Sequence, residues 1–337
     1  MNLPIKKLLP PKFILYVNRT RQRIAISRLY RFDQKRLKKY AFTLQKQFSR
    51  ENLRAKITLH YHAIEKGLSN ANPRLGFGER AFTDLFWAMD AYIKNGYPPD
   101  DSRFQSAVSV MDAYVKLHQT HNHSVPRVEE NLKKYTSLLL PENRELGGFL
   151  TLKRDELPDF RTLAFDDLSK NRVSVRDFGE DQIDDPKVFE ALRIATRTPS
   201  VCNRQAWRVR YVKSPEKVQD VLKIQGGFRG NGENLRSLLI VTADKQYMTG
   251  GRERNQTYID GGMFAMSLLY ALTSVGIASC PLNASFRLEQ EEKIRHLLQV
   301  GEAEDFITVI ALGTYPAAFK IAKSPRDDYQ LFTTVIE

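Results

Sequence analysis

At 337 residues, 42% of them apolar and 27% charged, the chain can fold as two globular units and bury a core in each, which excludes a disordered or low-complexity protein. No run approaches the ~20 continuous apolar residues of a spanning helix, and residues 1–11 lack the unbroken apolar segment of a secretory signal. The formal charge of +13 sits entirely in residues 1–50, where 14 Lys/Arg face the single acid Asp33, so the rest of the chain is neutral.

The two cysteines, Cys202 and Cys280, are far apart and show no metal spacing. Reduced thiols that serve as small packing residues, in a cytoplasmic protein, are the expectation.

Residues 1–35 read as a basic arm in which Lys and Arg interleave with Leu, Ile, Phe and Tyr, and Pro10-Pro11 interrupts any helix there. Two readings stand side by side. The arm contacts an anionic membrane surface, where each basic residue gains about 1 kcal/mol, or it is solvated and wraps a partner subunit. Nucleic acid is not expected, because no helix-turn-helix or zinc spacing accompanies the charge.

Residues 36–145 form a helical domain. Phe82, Leu85, Phe86, Met89, Tyr92 and Ile93 follow the spacing of one helix face, as do Phe104, Ala107, Val108, Met111, Tyr114 and Val115, with Asn95-Gly96 as a stop between them. Val128 to Leu139 gives a shorter helix opened by Pro126. Residues 62–78, rich in Gly, Asn and Pro, read as a loop, and His62, Glu65, Lys66 and Arg74 put ionisable groups beside it. It is a lid or substrate loop, or else a solvated helix connection. His118, His121 and His123 lack a fourth ligand, and no metal is expected. The Pro-, Gly- and acid-rich stretch 146–170 reads as a linker.

From residue 171 to 337 the pattern becomes α+β. Helices are predicted at 186–197, 215–224, 260–275 and 288–298, and strands at 209–212, 238–242 and 306–312, where β-branched residues concentrate. Helix 260–275 is apolar nearly all round, which predicts burial in a core or a subunit interface. The glycines of 226–232 follow a helix rather than a strand and do not make a dinucleotide fingerprint. No Ser-His-Asp or Cys-His set is present, and His296 lies on a helix predicted to be exposed.

Five landmarks occur in order over this half: Arg172-x-Ser174-x-Arg176-x-Phe178; Pro199-Ser200 with Asn203, Gln205 and Trp207; the apolar helix running into Gly276 to Leu282; Leu312-Gly313-Thr314-Tyr315-Pro316; and Lys323 with Arg326. Together they resemble the FMN-dependent nitroreductase superfamily. The resemblance implies a three-layer fold with a central, mostly antiparallel sheet flanked by helices, here preceded by the α-helical domain. It implies FMN as cofactor, NADH or NADPH as electron donor, and two-electron transfer through flavin N5 to a nitro, quinone or other electrophilic small-molecule acceptor. The flavin does the chemistry, so no catalytic side chain is assigned.

The expected cofactor contacts are Arg172, Ser174, Arg176, Pro199, Ser200, Asn203, Asn231, Pro281, Leu282, Asn283, Lys323 and Arg326. His62, Glu65, Arg74 and Arg229 are the substrate-side candidates. Arginine and lysine suit the phosphate, and Ser174 and Asn203 offer neutral hydrogen bonds. Pro281 has no N–H, so Leu282 or Asn283 must carry any amide contact to the ring. Val173 and Ala206 depart from the basic residue and the proline usual at those places. The resemblance further implies a homodimer with FMN at the interface. N-terminally extended relatives suggest a surface-polysaccharide pathway, with the arm peripheral at the inner membrane face. The alternatives are a specialised flavin dehydrogenase, a flavin-consuming enzyme like dimethylbenzimidazole synthase, or a non-catalytic membrane-peripheral assembly protein that retains the fold.

Overall fold

The computed structural model describes residues 10–40, 47–228, 235–248 and 251–337. The chain opens with α1 (Pro11–Tyr40). Pro11 is its first residue, where the missing N–H costs nothing, so the proline pair starts a helix instead of preventing one. The helix runs across the expected boundary at residue 35, with Phe13, Tyr16, Ile24 and Tyr30 exposed along it. Among the described residues no helix is long and apolar enough to cross a membrane.

The next elements build a helical bundle: α2 (Arg50–Leu68), α3 (Glu79–Lys94), α4 (Ser102–Thr120) and α5 (Pro126–Thr136). Ser49 caps α2 and Asp101 caps α4, accepting a backbone N–H in each case. Leu53, Ile57, Tyr61 and Ile64 of α2 meet Phe82, Leu85 and Met89 of α3 and Phe104, Val108 and Met111 of α4 in one buried cluster. Of the residues picked out by helical spacing in α3 and α4, all are buried except Ile93, which is exposed near the end of α3. The stretch 62–78 departs from expectation, since α2 continues through Leu68 and only residues 69–78 form the loop. Gly67 survives inside the helix because the Phe77 ring fills the space beside it; an added Cβ there would lie 2.0 Å from Phe77 Cε2. His118 is buried, with Nδ1 2.8 Å from the Tyr114 carbonyl and Nε2 accepting the Gly76 N–H at 2.9 Å, so it fastens that loop. Burial holds its pKa below the ordinary histidine value.

The second unit contains β1 (Phe149–Lys153), α6 (Phe165–Asn171), α7 (Asp185–Ala195), β2 (Trp207–Val212), α8 (Pro215–Gln225), β3 (Ser237–Asp244), α9 (Gln256–Ser274), β4 (Ala278–Leu282), α10 (Leu288–Leu298), β5 (Glu304–Gly313) and β6 (Ala318–Ala322). Among the described residues the main sheet has the order β2-β3-β5-β4, antiparallel throughout. Alternation along β3 divides its side chains between two layers. Leu238 and Ile240 pack with Val218 and Val221 of α8 and Ile294 of α10, whereas Leu239 and Val241 pack with Ala191 of α7 and Phe264 and Leu268 of α9. This is the expected three-layer α+β fold.

Three strands escape the sequence pattern. β4 contains Pro281, tolerated because β4 is the edge strand. β1 and β6 pair with each other, Leu150 opposite Ile321. The stretch 146–170, expected as a linker, therefore carries a strand, and α6 packs on α9 through Phe165 and Tyr270, whose ring centroids are 5.2 Å apart. In the single chain α9 buries one side only; Tyr258, Ile259, Met263 and Met266 are exposed on the other.

Candidate cofactor-binding site

The stretch 172–178 runs beside β4 and is pinned at both ends. Val175 N–H donates to the Ser279 carbonyl (3.0 Å) and Gly179 N–H to the Thr314 carbonyl (2.9 Å). Val175 and Phe178 point into the core, which turns Arg172, Ser174 and Arg176 to the other side, into a cavity of about 640 Å³. Gly313 explains how two distant motifs fit together: a Cβ there would stand 2.3 Å from the Phe178 ring, so only glycine admits that ring against β5.

Lys323, Ser324 and Arg326 form the opposite wall, and the helical bundle holds this tail in place. Asp327 accepts hydrogen bonds from Ser102 Oγ (2.7 Å) and Arg103 Nη2 (2.8 Å), with Arg54 Nη2 at 3.4 Å, and Arg103 Nη1 donates to the Pro325 carbonyl (3.0 Å). Burial alone would raise the Asp327 pKa, but Ser102, Arg103 and the charge of Arg54 outweigh it and hold the carboxyl below the ordinary aspartate value. Lys323 is anchored twice, its N–H to the Gly148 carbonyl (3.1 Å) and its Nζ to the Glu145 carbonyl (2.5 Å).

A second cavity, of about 400 Å³, adjoins the first and shares His62 and Arg176 with it. Pro281, Leu282 and Asn283 line one side, and His62, Lys66 and Asn70 of the bundle face them. His62 Nδ1 lies 3.0 Å from Glu65 Oε2, and the other oxygen of this fully buried carboxylate accepts the Gly148 N–H (3.1 Å).

The electrostatics are one-sided. Among the described residues Lys66, Arg172, Arg176, Lys323 and Arg326 have no carboxylate within ion-pair distance, and neither cavity is lined by Asp or Glu. Desolvation, then the charge of Arg326, lowers the pKa of Arg172. Lys66 opens into the cavity, yet the surrounding walls strip solvent from its ammonium; that desolvation, then Arg176, holds its pKa below the ordinary lysine value. Burial raises the Cys280 thiol despite Arg176, Lys66 and Arg172 nearby, so it stays protonated. Cys202, expected to pack, is instead exposed at φ 49°.

Of the residues anticipated from sequence, Arg172, Ser174, Arg176, Pro281, Leu282, Asn283, Lys323, Arg326 and His62 line the two cavities, and Glu65 stands behind His62. Pro199, Ser200 and Asn203 line neither. Their segment sits over the start of α9, where the Val201 N–H donates to Asp260 Oδ2 (3.2 Å). Arg74 is exposed and also lines neither cavity. Arg229 and Asn231 lie outside the described residues. Sequence reasoning gave no role to Asp327 or Asn70 and left Lys66 as a group beside a loop. The available signal was the spacing of His62 and Lys66, four residues apart, which places them on one face once the helix is extended to Leu68; Asn70 lies in the loop just beyond.

Residues 170–228 match the family model described as the nitroreductase family. Among solved structures the chain is similar to a nitroreductase-like protein from Streptococcus mutans, with 20% identity over 51% of this chain and 98% of that one and a TM-score of 0.44. It is also similar to an FMN-dependent nitroreductase from Clostridium difficile R20291, with 19% identity, 44% and 86% coverage and a TM-score of 0.39. A nitroreductase family protein from Clostridium novyi NT gives 19% identity, 46% and 86% coverage and a TM-score of 0.40. The nitroreductase segment thus contributes Arg172, Ser174 and Arg176 to the cavity, while Lys323 and Arg326 reach it from outside the matched residues.

Proposed function

We propose that the protein is an FMN-dependent oxidoreductase that passes two electrons from NADH or NADPH to a nitro, quinone or other electrophilic small molecule. The observation that carries this reading is the set of cations around the larger cavity with no carboxylate partner. Several unpaired guanidinium and ammonium groups in a concave site suit a phosphate dianion, and a nitroreductase-family segment supplies two of them.

FMN, when bound, supplies the redox chemistry. Arg172, Arg176, Lys323 and Arg326 would hold its phosphate and Ser174 a neutral oxygen, while the cavity edge at Pro281 to Asn283 would receive the ring. Cys280, protonated and buried, acts as packing behind that edge. Pro199, Ser200 and Asn203, which line neither cavity, would complete the site of a second copy, making the active form a homodimer. The exposed apolar side of α9 supports that pairing. The basic α1 would carry the peripheral contact with an anionic membrane, and a surface-polysaccharide pathway is the setting this reading favours.

The test is the visible absorption of the protein after incubation with FMN and desalting, followed by addition of NADH or NADPH. Bound oxidised flavin that bleaches with either nicotinamide is the expected result. Because hydrogen bonds to charged groups contribute about 1.5–3 kcal/mol each, Arg176→Ala together with Arg326→Ala should weaken FMN by at least about 100-fold in a fluorescence titration. Wild-type affinity in that double variant would refute the phosphate assignment.

A further inference from the structure

Beyond the cofactor's own needs, the site carries a surplus of positive charge, supplied by the helical bundle. Lys66 lines only the smaller cavity and stands near Arg176, the cation shared with the larger one. Glu65, the nearby carboxylate on the same helix, is already committed through both oxygens, to His62 Nδ1 and to the Gly148 N–H. Cys280 contributes no negative charge, because burial keeps it a thiol. Asn70 lies four residues beyond Lys66 and lines the same cavity, adding an amide to the wall.

We propose that the smaller cavity is an anion subsite for the electron acceptor, binding a carboxylate or phosphate group of that molecule at Lys66, with the Asn70 amide on the same wall. The proposal rests on the flavin reading above and narrows its substrate class to negatively charged acceptors. Lys66 is exposed to the cavity and Arg176 is half-buried beside it; their like charges repel, so an anion at Lys66 offsets a repulsion that the cofactor phosphate relieves only from the Arg176 side. A neutral acceptor would leave Lys66 without a counter-charge. The bundle is thus assigned a role in choosing the acceptor, through a side chain that the cofactor phosphate does not use.

The experiment uses the full chain loaded with FMN and two nitroarenes of matched shape, 4-nitrobenzoate and 4-nitrobenzyl alcohol, titrated by the perturbation of flavin absorbance. Wild type is expected to bind the benzoate at least tenfold more tightly. Lys66→Met should erase the difference, and Lys66→Arg should keep it. Flavin occupancy is read first on each sample. A protein that takes up no FMN overturns the flavin reading and this proposal with it. A loaded wild type that binds both probes alike overturns the proposal alone, as does a Lys66→Met variant that loses FMN, since Lys66 would then belong to the cofactor.

Discussion

At the scale of the residue, charge pairing separates scaffold from site. Arg210 and Glu304 form a double hydrogen bond, 2.7 Å at each contact, that ties β2 to β5 across β3. The Glu304 carboxyl is held down to about 2, first by the Arg210 hydrogen bond, against burial, with Thr242 adding to it. A depressed carboxylate stabilises the fold above its unfolded value, here 4.5, and that stability is lost as pH falls toward 2. The span corresponds to on the order of 3 kcal/mol. Urea midpoints measured from pH 7 to pH 3 should fall through this window in wild type. Arg210→Met should be less stable at pH 7 and show a flatter acid limb. The cations of the cavities are the converse case, since their partners are not other side chains.

At the scale of the element, legibility tracked hydrophobic contrast. β2, β3 and β5 were readable because Val, Ile and Leu concentrate in them, and the bundle because Phe82 to Ile93 and Phe104 to Val115 keep helical spacing. β4 was not, because Ser279, Cys280 and Pro281 carry no strand signal; their pairing is imposed by β5. β1 and β6 are short and half exposed, so partnership across more than 160 residues defines them instead of local propensity. The end of α2 was hidden by Gly67, whose role depends on the Phe77 ring ten residues on. In the site, the basic residues were legible from motif spacing, but Asp327 was not, because its meaning lies in Ser102 and Arg103 of another domain. Gly313 offers a test at this scale. Gly313→Ala must displace Phe178 from β5 and should cost about 1–3 kcal/mol by overpacking, seen as a lower thermal midpoint together with weaker FMN retention, because Phe178 sets the direction of Arg176.

At the scale of the whole molecule, the two motifs of the nitroreductase segment point to different places. Arg172 and Arg176 face the cavities of their own chain, whereas Pro199, Ser200 and Asn203 line neither. If each site takes one motif from each copy, two defective chains can complement. A variant carrying Arg176→Ala and Arg326→Ala, denatured and refolded together with one carrying Ser200→Ala and Asn203→Ala, should recover part of the FMN binding that neither shows alone. Equilibrium titration of the mixture would measure it. No recovery in mixed dimers verified by mass would place both motifs in one chain's site.

The β1–β6 pair gives the chain a seam that sequence coordinates conceal. β6 belongs to the C-terminal unit, but its hydrogen-bonding partner β1 comes from the stretch that leads out of the bundle. A fragment cut at residue 171 would carry β6 with a bare edge, an unpaired row of amides and carbonyls of the kind that recruits other strands. Such a fragment would also lose Arg54, Ser102 and Arg103, and with them the hold on the tail that bears Lys323 and Arg326. The protein is therefore not a catalytic module with an appendage that evolution could swap freely. The C-terminal unit depends on β1, which precedes residue 171, and on the bundle residues that hold its tail, so transplanting it would have to bring both.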